Sequence, residues 1–167
     1  MRQNFTFSCY LISALWIGAS VSPAGPKVAT KSVVEYPLPG ASQTHELVAV
    51  NEGNTILISQ ITRSSVVKVT LDPKSGHPTS AAGFLIGNIH DGLHGLCASK
   101  HDKGKAWATL QFASKLILLD PKADDPNAAP TVVKTISVPA PGRGPHVIVE
   151  YGEDLWVTLK APAFARS

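Results

Sequence analysis

The sequence predicts an all-β fold, because short apolar runs alternate along the chain with turn-forming residues. The 167 residues include 13 Gly and 13 Pro, and these fall mainly between the apolar runs. Outside the N-terminus, no window shows the apolar spacing of about 3.6 residues that an amphipathic helix needs. With 44% hydrophobic and 16% charged residues, the composition is that of a globular protein.

A repeat organises these strands. His45, His94 and His146 are spaced by 49 and 52 residues, and each begins a strand, a Gly-containing turn and a second strand. The three segments are "THELVAVNEGNTILISQ", "LHGLCASKHDKGKAWATLQ" and "PHVIVEYGEDLWVTLK". Two third strands end in Asp-Pro, in "RSSVVKVTLDP" and "ASKLILLDP". A related Pro-x-Pro-Gly segment precedes the first and third histidine, in "VEYPLPG" and "ISVPAPG".

A repeat of about 50 residues with four strands predicts the blades of a β-propeller. One four-stranded sheet cannot bury both faces, whereas sheets packed face to face around an axis can. We therefore expect residues 25–167 to form four-stranded antiparallel blades of an incomplete ring, with repeats starting near His45, His94 and His146. The alternative is a β-sandwich whose hairpins are similar by chance.

The strands carry expectations of their own. In "SVVKVTL", the alternation of apolar and polar residues predicts one face in contact with water, whereas "KLILL" predicts burial on both faces. Leu57, Trp107 and Trp156 occupy one repeat position, where we expect packing between neighbouring blades. Cys97 is expected to be a buried, unreactive strand residue.

Residues 1–24 read as a secretory signal peptide, with Arg2 before an apolar stretch and small residues from Ala19 to Ala24 around the cleavage site. A membrane anchor is the competing interpretation, but the stretch is short and interrupted by hydroxyl residues. We therefore expect a secreted protein without a membrane segment after cleavage. Cys9 would leave with the signal, so Cys97 would have no partner for an internal disulfide.

Two functional classes receive little support. The net charge is only +3, and the Lys and Arg residues are scattered, so nucleic acid is not an expected partner. The segment "NIHDGLH" places His90, Asp91 and His94 close together, but on a Gly-containing loop that lacks a fourth ligand. We interpret it as a polar loop and expect no metal site there.

The motifs resemble the repeat of the streptogramin lyase family, also called virginiamycin B lyases. The matching segments are "EYPLPG", "LHGL", "GPHVIV", "WATL" and "WVTL", which together span about residues 33 to 160. The resemblance implies blades of a seven-bladed propeller that opens cyclic depsipeptide antibiotics by elimination, with Mg²⁺ as cofactor. By motif match, His45, His94 and His146 hold the repeat-position histidine, and they are the candidate channel-facing ligands of a small molecule.

The family glutamate at the end of W-F-T-E does not carry over. Gln60, Leu110 and Leu159 stand at those positions, and none can bind Mg²⁺ or accept a proton as a carboxylate does. The resemblance therefore implies the scaffold and leaves the lyase activity in doubt, so the catalytic residues and the cofactor stay unassigned.

Two further expectations concern the whole ring. Two repeats and half of a third do not close one, so the chain reads as a fragment or as a protein that self-associates to complete it. The alternative function is a non-enzymatic, secreted propeller that binds a ligand or a protein, including the six-bladed gluconolactonase-like type.

Overall fold

A computed structural model describes residues 27–30 and 33–162, and it confirms the all-β prediction. Residues from Leu38 onward form one compact unit. A separate unit contains a short antiparallel hairpin, in which β1 (Lys27–Thr30) pairs with β2 (Val33–Glu35). The predicted signal peptide lies outside the described residues. No helix in the described part of the chain has the length and apolar character to span a membrane.

The first complete sheet, blade 1, has four antiparallel strands in chain order. They are β3 (Thr44–Val50), β4 (Thr55–Gln60), β5 (Ser65–Leu71) and β6 (Pro78–Leu85). A 3₁₀ turn at Asn51–Gly53 joins the first two. Blade 2 repeats the pattern with β7 (Leu93–Ala98), β8 (Ala106–Leu110), β9 (Lys115–Asp120) and β10 (Thr131–Ser137). The two sheets are the four-stranded blades that the repeat predicts.

The third repeat is present as one antiparallel hairpin of β11 (Gly142–Tyr151) and β12 (Asp154–Pro162). Its tight turn contains Gly152 at a φ of 60°, a conformation that glycine adopts without steric cost. The first strands β3, β7 and β11 lie side by side, so the inner edges of the three repeats adjoin. The ring is not closed within the described residues.

Two apolar clusters join the repeats. The larger cluster lies between blades 1 and 2 and includes Leu57, Val66, Leu96 and Leu119. The smaller one lies between blade 2 and the β11–β12 hairpin, around Trp107 and Ile148. Burial of apolar surface is the main favourable contribution to such packing.

The packing expectations are partly confirmed. Leu57 and Trp107 are 0% and 4% exposed, as their position between blades requires, and the core of "KLILL" is buried. Trp156, at the same repeat position, is 64% exposed, so the expectation of burial is wrong there. The physical reason is that no further described strand packs on the outer face of the β11–β12 hairpin. Cys97 is half-buried on β7 rather than fully buried.

The expectation that one face of β5 is exposed to water is also wrong. Lys68, its central polar residue, is 1% exposed. Its ammonium group donates hydrogen bonds to carbonyl oxygens in the loop that follows β9, including Asp125 O at 2.8 Å and Ala128 O at 2.6 Å. A charged residue in an alternating strand can thus face protein rather than water when backbone acceptors replace its hydration.

Candidate functional site

Each repeat histidine lies in a β-bulge of the innermost strand. In blade 1, Thr44 pairs with Gln60 and Leu47 pairs with Ile58, so His45 and Glu46 together face Ser59. The same shift of register occurs between Leu93 and Leu96 in β7, and between Pro145 and Ile148 in β11. A bulge bends the strand locally and redirects a side chain. The repeat therefore places a histidine in a bulge at the start of each blade.

A hydroxyl group completes each bulge. The residue after the histidine donates its backbone N–H to the Ser or Thr on the second strand. These bonds are Glu46 N–H to Ser59 Oγ at 3.0 Å, Gly95 N–H to Thr109 Oγ1 at 2.7 Å and Val147 N–H to Thr158 Oγ1 at 3.0 Å. The threonine of the W-x-T motif thus has a structural role, because it satisfies an N–H that the bulge removes from the strand ladder.

The three bulges bring the three histidine rings together in one column. The ring centroids of His45 and His94 are 4.2 Å apart, and those of His94 and His146 are 4.0 Å apart. The rings are tilted by 41° and 39°. His94 is buried at the centre, His146 is half-buried and His45 is exposed. The structure therefore assembles all three predicted site residues from different repeats.

The column holds its central imidazole neutral near pH 7. Burial, followed by the charges of His45, His146 and Lys160, lowers the pKa of His94 to about 4. Burial also lowers the pKa of His45, with a further contribution from His146 that Glu46 opposes. Protonated rings at these short distances would repel one another, and burial weakens the screening by water, so the neutral form is favoured. A neutral imidazole offers one donor and one acceptor nitrogen.

Glu46 lies beside the column and was not identified by the motif comparison. Its Oε2 accepts the N–H of Leu96 at 3.0 Å, and its Oε1 lies 4.0 Å from Nδ1 of His94. That nitrogen is buried and has no hydrogen-bond partner in the structure. The sequence did contain a signal for Glu46. It directly follows a repeat histidine, whereas uncharged residues, Gly95 and Val147, follow the other two.

The positions of the family glutamate carry no carboxylate into the column. Gln60 is buried and accepts the N–H of Ser42, and Leu110 is buried in the core between the blades. Leu159 is partly exposed on β12. Because Mg²⁺ prefers several carboxylate or carbonyl oxygens in octahedral geometry, these residues do not fit a magnesium site of the family type.

The loop with His90 and Asp91 has a local structural role. The carboxylate of Asp91 accepts the N–H of Asn88 at 2.8 Å, and its backbone carbonyl accepts the N–H of Phe112 at 3.0 Å. His90 is exposed at the loop surface, whereas His94 belongs to the column. Within residues 27–30 and 33–162, no group of three or more His, Cys, Asp or Glu side chains is arranged to hold a metal ion.

Two cavities lie away from the histidines. One of about 310 Å³ is lined by residues of blade 1 that include Arg63 and Phe84. The other, of about 460 Å³, lies between the first turns of the two blades, beside Asn51 and Lys103. The histidine column itself lies on the first strands of the three repeats.

Comparisons with known proteins identify the fold. No protein-family model matches the chain, and no curated protein matches it. Among solved structures, a streptogramin B lyase is similar at a TM-score of 0.59 and 19% identity, over 82% of this chain and 41% of that one. A catalytically inactive virginiamycin B lyase from Staphylococcus aureus with quinupristin is similar at a TM-score of 0.59 and 16% identity, over 80% of this chain and 41% of that one.

At these identities the similarity shows the fold alone, which is that of the streptogramin lyase β-propellers. It confirms the predicted resemblance at the level of blade architecture. This chain spans 41% of the length of each of those two proteins.

Proposed function

We propose that this chain is part of a ligand-binding β-propeller whose histidine column contacts a small molecule at the inner edge of the blades. The observation that carries the proposal is the assembly of His45, His94 and His146 at ring separations of 4.2 and 4.0 Å. Three separate bulges produce this arrangement, each completed by a hydroxyl group. All three rings lie on the innermost strands of the repeats, where a ligand near the axis of a propeller would meet them.

The chemistry of the column favours a ligand with aromatic or amide groups. The tilted rings offer faces for stacking, and the central imidazole is neutral at pH 7 because its pKa is about 4. The ring nitrogens of the exposed His45 and the half-buried His146 offer donors and acceptors that a ligand can reach. Cyclic depsipeptides combine aromatic and amide groups, which makes quinupristin a suitable first probe.

The proposal does not include depsipeptide ring opening. Elimination at an ester needs a base for a carbon-bound proton, and the family positions hold Gln60, Leu110 and Leu159. Glu46, a carboxylate beside the column, already accepts the N–H of Leu96. We expect no ring opening of quinupristin by this chain, with or without added Mg²⁺.

Calorimetric titration of the folded chain with quinupristin tests binding. We expect saturable binding. The affinity should fall at least tenfold in His146→Ala, because the ligand loses contact with the His146 ring that lies against His94. His90→Ala, a change in an exposed loop, is the matched control and should bind as the parent does. Equal affinity of His146→Ala and the parent would contradict the proposal, as would ring opening detected by mass spectrometry.

The alternative function is a non-enzymatic propeller that binds a protein. It predicts that the exposed sheet faces, rather than the histidines, control binding. We also propose that the chain is exported after cleavage between Ala19 and Ala24. The N-terminal sequence of the chain recovered outside the producing cell tests this, and an intact Met1 there would contradict it.

A further inference from the structure

The outer face of the β11–β12 hairpin exposes a position that is buried in both preceding repeats. Trp156 is 64% exposed, whereas its equivalents Leu57 and Trp107 are covered by the next repeat. Val149, its cross-strand neighbour, and Tyr151 are also exposed on the hairpin. This apolar surface is the kind that a further blade covers.

The opposite end of the propeller unit exposes the complementary position. Leu47 on β3 is 48% exposed, whereas its equivalents Leu96 and Ile148 are 7% and 2% exposed. Those two residues are buried because each faces the preceding repeat. One chain therefore displays both halves of a contact that its own repeats make twice.

The strand edges are complementary as well. Among the described strands, β12 pairs only with β11, while each complete blade has four strands. By its place before a repeat histidine in the sequence, the β1–β2 hairpin corresponds to the last two strands of a blade. β2 ends ten residues before His45, and β6 and β10 each end nine residues before the next repeat histidine. The related segments "EYPLPG" and "SVPAPG" follow β2 and β10 in the same way.

We propose that two copies of this chain associate head to tail into one closed, six-bladed ring. The β11–β12 hairpin of each copy is completed by the β1–β2 hairpin of the other, and the Trp156 face packs on the β3 face with Leu47 of the other copy. The twelve strands described in residues 27–30 and 33–162 would then make three blades of four for each copy. Two copies give six blades, within the usual range of roughly four to eight, and three copies would exceed it.

The physical reasons for this association are the free edge and the apolar faces. An unpaired edge such as that of β12 is a template for another strand, and closure of the ring removes it. A head-to-tail contact forms a ring when its rotation closes. The proposed ring closes if each contact between copies repeats the contact between successive blades. The hydrogen bond from Thr109 to the carbonyl of His146 also predicts an equivalent bond from Thr158 to His45 of the second copy.

Closure would extend the histidine column around the axis of the ring, with six repeat histidines instead of three. This consequence rests on the proposed ligand site, but the dimer does not. The tests therefore measure assembly without any ligand, and failure of quinupristin to bind leaves their outcome unchanged.

Native mass spectrometry and light scattering on the full chain test the assembly. We expect a discrete species with twice the mass of one chain and the circular dichroism of a β-protein. A folded monomer would overturn the proposal, and so would an open series of larger oligomers, which indicates a head-to-tail contact that does not close.

Charged substitutions test the two faces. Trp156→Asp and Leu47→Asp should each give a folded monomer, because each change alters both contacts of a symmetric dimer. Val133→Asp, at an exposed apolar position on the outer strand of blade 2, is the control and should remain dimeric.

Mixing the two monomeric variants distinguishes a head-to-tail ring from other dimers. A mixed pair of Trp156→Asp and Leu47→Asp has one contact with both changes and one contact with neither, so we expect dimers to reappear. A dimer that used one face symmetrically would survive Leu47→Asp and would overturn the proposal. Mixed variants that stay monomeric would overturn it as well.

The strand exchange has its own test. Val34→Pro removes a backbone N–H from β2 and should lower the fraction of dimer at least tenfold at a fixed low concentration. Ala41→Pro, a change outside the strands, serves as its control. Equal dimer fractions in the parent and in Val34→Pro would contradict completion of the third blade by the β1–β2 hairpin.

Discussion

The two interfaces between repeats each bury one charged side chain, but the charges are opposite. Between blades 1 and 2 the buried charge is the ammonium of Lys68, and between blade 2 and the β11–β12 hairpin it is the carboxylate of Glu150. In both places the neighbouring repeat supplies hydrogen-bonding groups in place of water. A buried charge is tolerated in a protein only when such groups replace its hydration.

Lys68 is surrounded by four backbone carbonyls of the loop after β9. They belong to Pro121 at 3.1 Å, Lys122 at 3.3 Å, Asp125 at 2.8 Å and Ala128 at 2.6 Å. Burial lowers the pKa of the ammonium, and the carboxylates of Asp125 and Asp120 oppose this shift. The Pro-rich loop thus folds around a side chain from another blade.

Glu150 is surrounded by donors from blade 2. Its carboxylate accepts hydrogen bonds from the indole N–H of Trp107 at 3.1 Å, the hydroxyl of Ser99 at 3.3 Å and the N–H of Lys100. Burial acts to raise the pKa of Glu150, but these donors and the charge of His101 hold it below its ordinary value. Its repeat equivalents are Ala49 and Ala98, so the carboxylate is specific to this interface. The comparison shows that repeats with equivalent first strands are joined by different, residue-specific contacts.

The largest expected effect is the removal of the Lys68 ammonium. Lys68→Met keeps most of the apolar stem but leaves four carbonyls without their donor, so we expect a loss of about 4 kcal/mol in the free energy of unfolding. Lys74→Met, at an exposed turn of the same blade, is the control and should change stability by less than about 0.5 kcal/mol. Denaturant titration measures both, and equal stabilities of the two variants would refute this role of Lys68.

Acid should weaken both interfaces together, because His94 stacks on histidines from both neighbouring repeats. The pKa of His94 is about 4 in the fold and 6.5 as the reference, so the unfolded chain binds the proton more strongly. Stability is then lost as the pH falls from 6.5 to 4, by up to about 3 kcal/mol.

The groups facing His94 are His45, His146, Glu46 and Lys160, of which His45 acts in the same direction because its pKa is also lowered. Denaturant titrations at several pH values in this range give the free energy of unfolding as a function of pH. We expect this free energy to change less with pH in His94→Gln than in the parent, whereas His90→Gln should show the parental pH dependence. An unchanged pH dependence in His94→Gln would contradict the assignment.

A smaller effect is expected at the second interface. Glu150→Gln places an amide among three donors, and we expect a loss of about 2 kcal/mol in the free energy of unfolding. The indole N–H resonance of Trp107 should also shift, since its acceptor changes. Glu153→Gln, an exposed change in the adjacent turn, is the control. An unchanged Trp107 resonance in Glu150→Gln would show that the carboxylate is not its acceptor.

The smallest effect concerns the hydroxyl groups of the bulges. Thr109 accepts the N–H of Gly95 and donates to the carbonyl of His146 at 2.9 Å, so it joins two repeats. Both bonds of Ser59 stay with Glu46 in its own repeat. We therefore expect Thr109→Val to cost about 1.5 kcal/mol and Ser59→Ala about 0.7 kcal/mol of unfolding free energy. The reverse order, measured by thermal unfolding, would contradict the bridging role of Thr109.

The sequence by itself determined the blades and the repeat-position histidines. Strand identity follows from local alternation and from turn residues such as Gly152, and the period of about 50 residues makes the four-stranded unit visible. For the same reason His45, His94 and His146 could be selected as candidate site residues, because equal positions in a repeat occupy equal places in successive blades.

Only the tertiary structure decided the contacts between repeats. The bulges that bring the histidines into one column place two residues of one strand opposite one residue of its partner, so they depend on a pairing that the sequence of a single strand does not contain. The bonds of Lys68 to Ala128 and of Glu150 to Ser99 join residues 60 and 51 positions apart. Such partners are selected by packing of one blade on the next, so an alternating strand revealed neither the burial of Lys68 nor the exposure of Trp156.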